Sequence, residues 1–311
     1  MIPLNICIPS YNYGRYLPEA IDSCLSQDVD FNLFVLDNAS TDNTPELRDC
    51  YTSDSRVTWI RNETLLPVQE NWNMAVSLAN DGWVKLLQAD DRLLPGSISF
   101  LSDLFTSNPD SSFIGHLSEI IDAQGRCIRK CVPYSYTHTV IALNAGDGPR
   151  LKLKHIARLR EPTSNLFTKQ AWEAVGGYSS SLRFTFDIDF NVRLMALFPG
   201  ILCSIYLAQI RRHTQSDGAT LPPSLAISDL KTVVRRMLEH SDDRESKLYA
   251  DSWVQYRIIE LFAQRFRSDP LASSRFLMRN LRDLLKLRPL SITCSTISRR
   301  ILAGDVQQSL D

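Results

Sequence analysis

Over its first third the chain alternates short apolar, β-rich runs with helical patterns, and few folds accommodate that alternation. LNICIP (4–9), FNLFVLD (31–37), RVTWI (56–60) and WVKLLQ (83–88) have the length and composition of strands. Between the first two, YLPEAIDSCLSQ sets Leu17, Ala20, Ile21, Cys24 and Leu25 on one helical face, with Pro18 tolerable in a first turn. PVQENWNMAVSLAN (67–80) repeats the rhythm with Trp72, Ala75, Val76 and Ala79 inward. Strands joined by crossover helices predict an α/β chain with a mixed, mostly parallel sheet flanked by helices.

Beyond residue 95 a helix (GSISFLSDLF) and a strand (SSFIGHLSE) continue the pattern, followed by a less regular stretch through residues 144–149. The uncharged run Leu194 to Ile210 is broken by Pro199-Gly200, which predicts a helix turning into a buried strand rather than a membrane span. From about Ser224 helical segments dominate, so an α-helical C-terminal extension is expected over 223–311. A net charge of −1 over 311 residues gives no global positive field, which argues against a nucleic-acid partner. Seven cysteines, odd in number and widely spread, read as reduced thiols of a cytoplasmic protein. Cys127 and Cys131 lack the second pair or histidines that a zinc site needs. The first residues lack the basic start and long apolar core of a secretory leader.

In an open parallel sheet, ligands bind at the carboxyl ends of the strands, where loops converge. Here those loops hold Pro9-Ser10-Tyr11-Asn12, Asp37-Asn38-Ala39-Ser40 and the stretch from Gln88 to Asp90-Asp91. No glycine-rich phosphate cradle or Walker lysine follows a strand. Phosphate would then be handled through a divalent ion, Mn2+ or Mg2+, which is commonly held by one or two carboxylates and completed by substrate phosphates. Read singly, each residue also has a plainer role: Asp90-Asp91 as a turn with a helix cap, Asp37 as an Asx-turn, and His213 as a packing histidine.

The segments ICIPSYNYGRYLPEAIDSCLSQ, LDNASTDNT, RVTWIRNE, QADDRLLPG and GGYSSSLRFTFDIDFNVRL stand in the order seen in family 2 glycosyltransferases, which the chain resembles over roughly residues 3 to 215. The resemblance implies a Rossmann-like GT-A fold at 1–222, with a nucleotide-sugar half at about 1–95 and an acceptor half at about 96–222. It also implies an inverting enzyme that uses a nucleotide-diphospho-sugar. By position, Pro9, Tyr11 and Asn12 match the loop against the base, and Asp37 and Asn38 the acidic loop that bonds it. Asp90 and Asp91 match the end of the D-x-D-type metal motif. Asp187 matches the catalytic base, with Asp189 as runner-up. His213 in RRHTQS matches an element that approaches the metal or diphosphate.

Three positions depart from the family pattern. Gln88 replaces the first acid of D-x-D, so it can hydrogen-bond ribose or phosphate but adds no charge to a metal. Leu65-Leu66-Pro67 stands where N-L-G is common. Phe186 replaces the glutamate before the base, leaving burial among Phe184, Phe186 and Phe190 to raise the Asp187 carboxyl. Gln88 and Phe186 motivate a rival reading, a nucleotide-sugar binder without catalysis; a nucleotidyltransferase is the other. The expected partners are a UDP- or dTDP-sugar donor and a saccharide or lipid-linked acceptor, met by a loop at Glu161–Asn165. In the extension, Arg275, Arg279, Arg282 and Lys286 repeat at helical spacing. They read first as a solvated basic face and alternatively as a peripheral membrane contact over 275–288.

Overall fold

A computed structural model describes residues 3–131, 140–146, 162–213 and 223–239, with Val254, Gln255, Ile258, Met278 and Asn280. The basic residues of the stripe, Arg275, Arg279, Arg282 and Lys286, and the first residue of the expected acceptor loop, Glu161, lie outside the described residues. The strands are β1 (Leu4–Ser10), β2 (Asn32–Asp37), β3 (Val57–Arg61), β4 (Trp83–Leu86), β5 (Arg92–Leu93), β6 (Phe113–Ile121), β7 (Cys127–Lys130), β8 (Val140–Leu143), β9 (Asn165–Thr168) and β10 (Gly200–Arg211). They form one sheet in the order β3-β2-β1-β4-β9-β6-β10-β5, with β7 beside β6 and β8 beside β10. The first four strands pair in parallel, β9 runs antiparallel to β4 and β6, and β10 returns parallel to β6.

Helices cover both faces: α1 (Leu17–Leu25), α2 (Arg48–Tyr51), α3 (Val68–Ser77), α4 (Ser97–Thr106), α5 (Lys169–Ala174), α6 (Phe186–Leu197) and α7 (Pro223–Glu239). Every residue of β1 is buried, as a strand covered on both sides requires. Its side chains alternate between two cores. Ile6 and Ile8 face α1 and α4 with Leu17, Ile21 and Leu101, while Cys7 faces α3, α6 and α7 with Val76, Phe190 and Val233. The break at Pro199-Gly200 separates α6 from β10, and a Cβ at Gly200 would stand 2.3 Å from the Phe113 ring, so only glycine fits there.

α7, the first helix past the expected boundary at 222, packs Ala226, Leu230, Val233 and Met237 into the same core. Asp229 on α7 accepts the backbone amides of Arg183 and Phe184, each at 2.7 Å, and so holds the loop that leads into α6. Among the described residues no helix is long and apolar enough to cross a membrane.

Two strand pairings position the site. β5, immediately after Asp90-Asp91, runs antiparallel to the end of β10 through Arg92–Gln209 and Leu93–Ala208. The acidic turn is thereby laid against Arg211 and His213.

Candidate active site

The loops after β1 and β2 interlock. Asn12 and Ala39 adopt left-handed backbone conformations, φ 57° and 55°, which is strained for alanine and acceptable for asparagine. The Asn12 amide donates to Ser40 Oγ (2.9 Å), and its side-chain oxygen accepts the Thr41 amide (2.8 Å). Asp37 is fully buried, accepting the Ser40 amide (2.9 Å) and the Arg61 guanidinium. Asn38 donates to Leu66 O (2.9 Å) and accepts the Leu66 amide (3.0 Å) and Asn62 Nδ2 (2.8 Å). Its amide is therefore occupied inside the protein, pinning the Leu65-Leu66 loop. Pro9 is buried within β1, while Tyr11 is exposed at the rim.

The acidic turn separates its two carboxylates. Asp90 Oδ2 lies 3.0 Å from His213 Nε2, and the His213 ring packs against Tyr16 and Tyr13 with centroids at 5.0 and 5.9 Å. Asp91 points inward: Thr163 Oγ1 donates to its Oδ2 and the Arg211 amide to its Oδ1 (2.9 Å). Burial, and after it the neighbouring charge of Asp90, pushes the Asp91 carboxyl well above the ordinary carboxylate range. Arg211 is itself fully buried, with Nε on Asp90 O (2.8 Å), an Nη on Glu19 Oε2 (2.7 Å), and its guanidinium 4.7 Å over the Tyr16 ring. Gln88 Nε2 is buried with no hydrogen-bond partner among the described residues.

The two acids of α6 also part company. Asp189 is fully buried between Arg193 Nε (2.8 Å) and the Arg236 guanidinium, tying α6 to α7. Asp187 is half-buried, with the Ile188 amide donating to its Oδ1 (2.8 Å). Burial, and after it the Asp187 charge, pushes the Tyr178 hydroxyl well up, so that carboxylate lies within electrostatic reach of Tyr178. Asn191, a turn further along α6, accepts Asn165 Nδ2 (3.1 Å) and links this helix to the turn that holds Asp91.

Sequence reasoning placed 161–165 at the acceptor. Instead Pro162, Thr163, Ser164 and Asn165 are buried beneath the acidic turn, because the Thr163 side chain fills the space between Asp91 and the Gln88 amide. Arg211 and Lys85 were missed as site residues, since nothing local marks an arginine or lysine for burial, and so was the exposed Glu19 that pairs with Arg211. Only the position of Arg211, two residues before His213, was a signal.

A divalent ion fits this rim. Among the described residues no cluster of three or more His, Cys, Asp or Glu could cage a metal without substrate. The Asp90 carboxylate and the His213 imidazole, 3.0 Å apart, are the oxygen and nitrogen donors that would hold such an ion. Diphosphate and water oxygens would complete the set, and Gln88 Nε2, without a hydrogen-bond partner among the described residues, is a donor suited to the same anion.

The glycosyl transferase family 2 model matches residues 5–159. The chain belongs to this family. An uncharacterised protein of Mycobacterium tuberculosis is 27% identical over 228 residues, 70% of this chain and 69% of its own length. The abequosyltransferase RfbV of Salmonella typhimurium is 32% identical over 112 residues, and this chain spans 34% of its length. Among solved structures, S. aureus TarS 1–349 in complex with UDP-GlcNAc superposes with a TM-score of 0.67 at 14% identity, covering 94% of this chain and 83% of that one. The mannosyltransferase PcManGT of Pyrobaculum calidifontis in complex with GDP-Man and Mn2+ gives 0.54 at 14% identity, covering 98% and 86%. At these identities the structural likeness is one of fold, and it places this family 2 chain in the GT-A arrangement that its motifs implied.

Proposed function

We propose that the chain is a metal-dependent, inverting glycosyltransferase that moves a sugar from a nucleotide-diphospho-sugar to a hydroxyl of a saccharide or lipid-linked acceptor, in surface polysaccharide or glycoconjugate synthesis. The observation that carries this reading is the Asp90–His213 pair together with the Gln88 side-chain Nε2, which has no hydrogen-bond partner among the described residues, at the edge where β1, β2 and β4 end. The complexes of the two fold neighbours with UDP-GlcNAc and with GDP-Man and Mn2+ support it, as does the name of the abequosyltransferase relative.

Tyr11, exposed at the rim, stacks on the nucleotide base, and Asp37 with Arg61 forms the polar floor beneath it. Asn12, Asn38 and Pro9 set the shape of that crevice. Gln88 donates to a ribose or diphosphate oxygen. Asp90 and His213 would hold the divalent ion, and Asp91 acts as the inward brace of the turn. When bound, the ion offsets the charge that develops on the departing diphosphate. Asp187 takes the proton of the acceptor hydroxyl as its oxygen bonds to the anomeric carbon, while the bond from that carbon to the diphosphate breaks and the nucleoside diphosphate leaves with the electron pair. A single displacement inverts the anomeric configuration. The enzyme works in the cytoplasm, and the basic residues spaced at helical intervals over 275–288 form a solvated face, with peripheral contact to anionic lipid as the alternative.

A panel of UDP-, dTDP- and GDP-sugars, screened with Mn2+ for thermal shift and for hydrolysis in the absence of acceptor, tests the proposal. The expected result is metal-dependent stabilisation by one donor with slow release of its nucleoside diphosphate. Stabilisation without turnover on any acceptor would favour the binder that Gln88 suggests. Release of pyrophosphate would mark a nucleotidyltransferase.

A further inference from the structure

Lys85, in the middle of β4, is fully buried, which is rare for an ammonium group. Its Nζ lies 2.6 Å from Thr163 O, 2.8 Å from His116 Nε2 on β6 and 3.4 Å from Asn165 O. Three acceptors match the three N–H donors of a protonated lysine. His116 is also fully buried; its Nδ1 lies 2.9 Å from Leu117 O, so Nδ1 carries the hydrogen and the Nε2 lone pair faces Lys85. Burial, and then the charge of Lys85, lowers His116 well below its ordinary range, in keeping with that neutral tautomer. Burial also pushes Lys85 down to about 7, against the upward pull of Cys24 on α1, Asp91 and Cys203 on β10.

The cluster sits directly under the acidic turn. Thr163, whose carbonyl takes the shortest of the Lys85 bonds, uses its hydroxyl twice: it donates to Asp91 Oδ2 and accepts the Gln88 amide at 3.2 Å. The Asp91 amide in turn donates to Gln88 O at 3.0 Å, closing the turn. Ser164 continues the brace through its hydroxyl, 2.8 Å from that of Ser118 on β6.

We propose that Lys85 is a positioning residue of the donor site: by holding the Thr163 carbonyl it sets the Thr163 hydroxyl between Asp91 and Gln88, and so fixes the turn that presents Gln88 and Asp90 to the diphosphate. This rests on the donor reading above. A brace for stability alone is better made from apolar atoms, because a buried charge opposes folding. The buried ammonium therefore serves the geometry of the turn.

The test pairs ligand-free Tm with calorimetric Kd for the tightest of UDP, dTDP and GDP in MnCl2, on Lys85→Met, Thr163→Val, their double variant, His116→Gln and His116→Leu. Lys85→Met should keep or raise Tm, yet weaken nucleotide binding about tenfold, the scale of a lost buried hydrogen bond to a charged group. Thr163→Val should weaken it similarly, and the double variant little further, since both act through one contact. His116→Gln keeps an acceptor for Lys85 and should bind like wild type, whereas His116→Leu should not. Binding by Lys85→Met within about twofold of wild type, or losses that add in the double variant, would overturn the proposal. If Lys85→Met does not fold, equal binding by the two His116 variants overturns it instead. A wild type that binds none of the three diphosphates removes the donor reading and this inference with it; a wild type that binds beside an unaffected Lys85→Met removes only the inference.

Discussion

His213 Nε2 and Asp90 Oδ2 lie 3.0 Å apart although 123 residues separate them in the chain, and both side chains are largely buried. The β5–β10 pairing brings them together, and the Tyr13 and Tyr16 rings hold the imidazole in place. If this pair holds the ion, Asp90→Asn should weaken Mn2+-dependent nucleotide binding by about a hundredfold, roughly 2.7 kcal/mol. Chelating the metal from wild type should produce the same loss, and His213→Gln a smaller one. Calorimetric titration with and without EDTA checks this; an Asp90→Asn protein that stays as sensitive to EDTA as wild type would take the ion away from Asp90.

The acids of α6 should separate by phenotype. Asp189→Asn leaves Arg193 and Arg236 without their shared carboxylate, a loss of about 3 kcal/mol for a buried pair, moderated here by the partial exposure of both arginines. Its Tm should fall by several degrees. Asp187→Asn should keep Tm and nucleotide affinity while turnover drops by about 10²- to 10⁴-fold, the range of a lost general base. Near-normal turnover in Asp187→Asn would move the base to Asp189 or elsewhere.

Lys85 should leave a mark on stability against pH. Burial holds its folded pKa at about 7, below the ordinary lysine value of 10.5, so between these limits the unfolded chain holds a proton that the folded one has released. Its contribution to stability therefore rises with pH across that window and is flat below pH 7. Lys85→Met removes the cost of burying the charge, so its gain in stability over wild type should be largest at pH 7 and below and shrink towards pH 10. Urea denaturation at unit pH steps measures the gap; one that is constant with pH would contradict the buried, shifted lysine.

The layout of the fold was legible because alternation is written locally. Ile6, Cys7 and Ile8 announce a strand covered on both faces, and Leu17, Ala20, Ile21 and Cys24 announce the helix packed on it. The extent of the core was not legible: helical signals from Ser224 suggested an appendage, yet Leu230 and Val233 fill the core beside Phe190. Amphipathicity shows that a helix has a face to bury, and tertiary packing alone shows against what. The turn at Pro162–Asn165 was placed at the acceptor from its sequence position, and its burial depends on Asp91 and Lys85, each more than 70 residues away.

From the residues alone came the family, the strand ends at one edge of the sheet, and the acids and histidine now found beside them. The sequence named both members of each acidic pair and could not divide their tasks. Adjacent residues of a turn point in different directions, and residues two apart on a helix stand about 200° apart. Which direction faces the site is set by distant partners: Thr163 and Arg211 draw Asp91 inward and leave Asp90 to His213, and Arg193 with Arg236 encloses Asp189 and leaves Asp187 at the edge. Those partners meet only once the sheet has formed, so that division belongs to the tertiary structure.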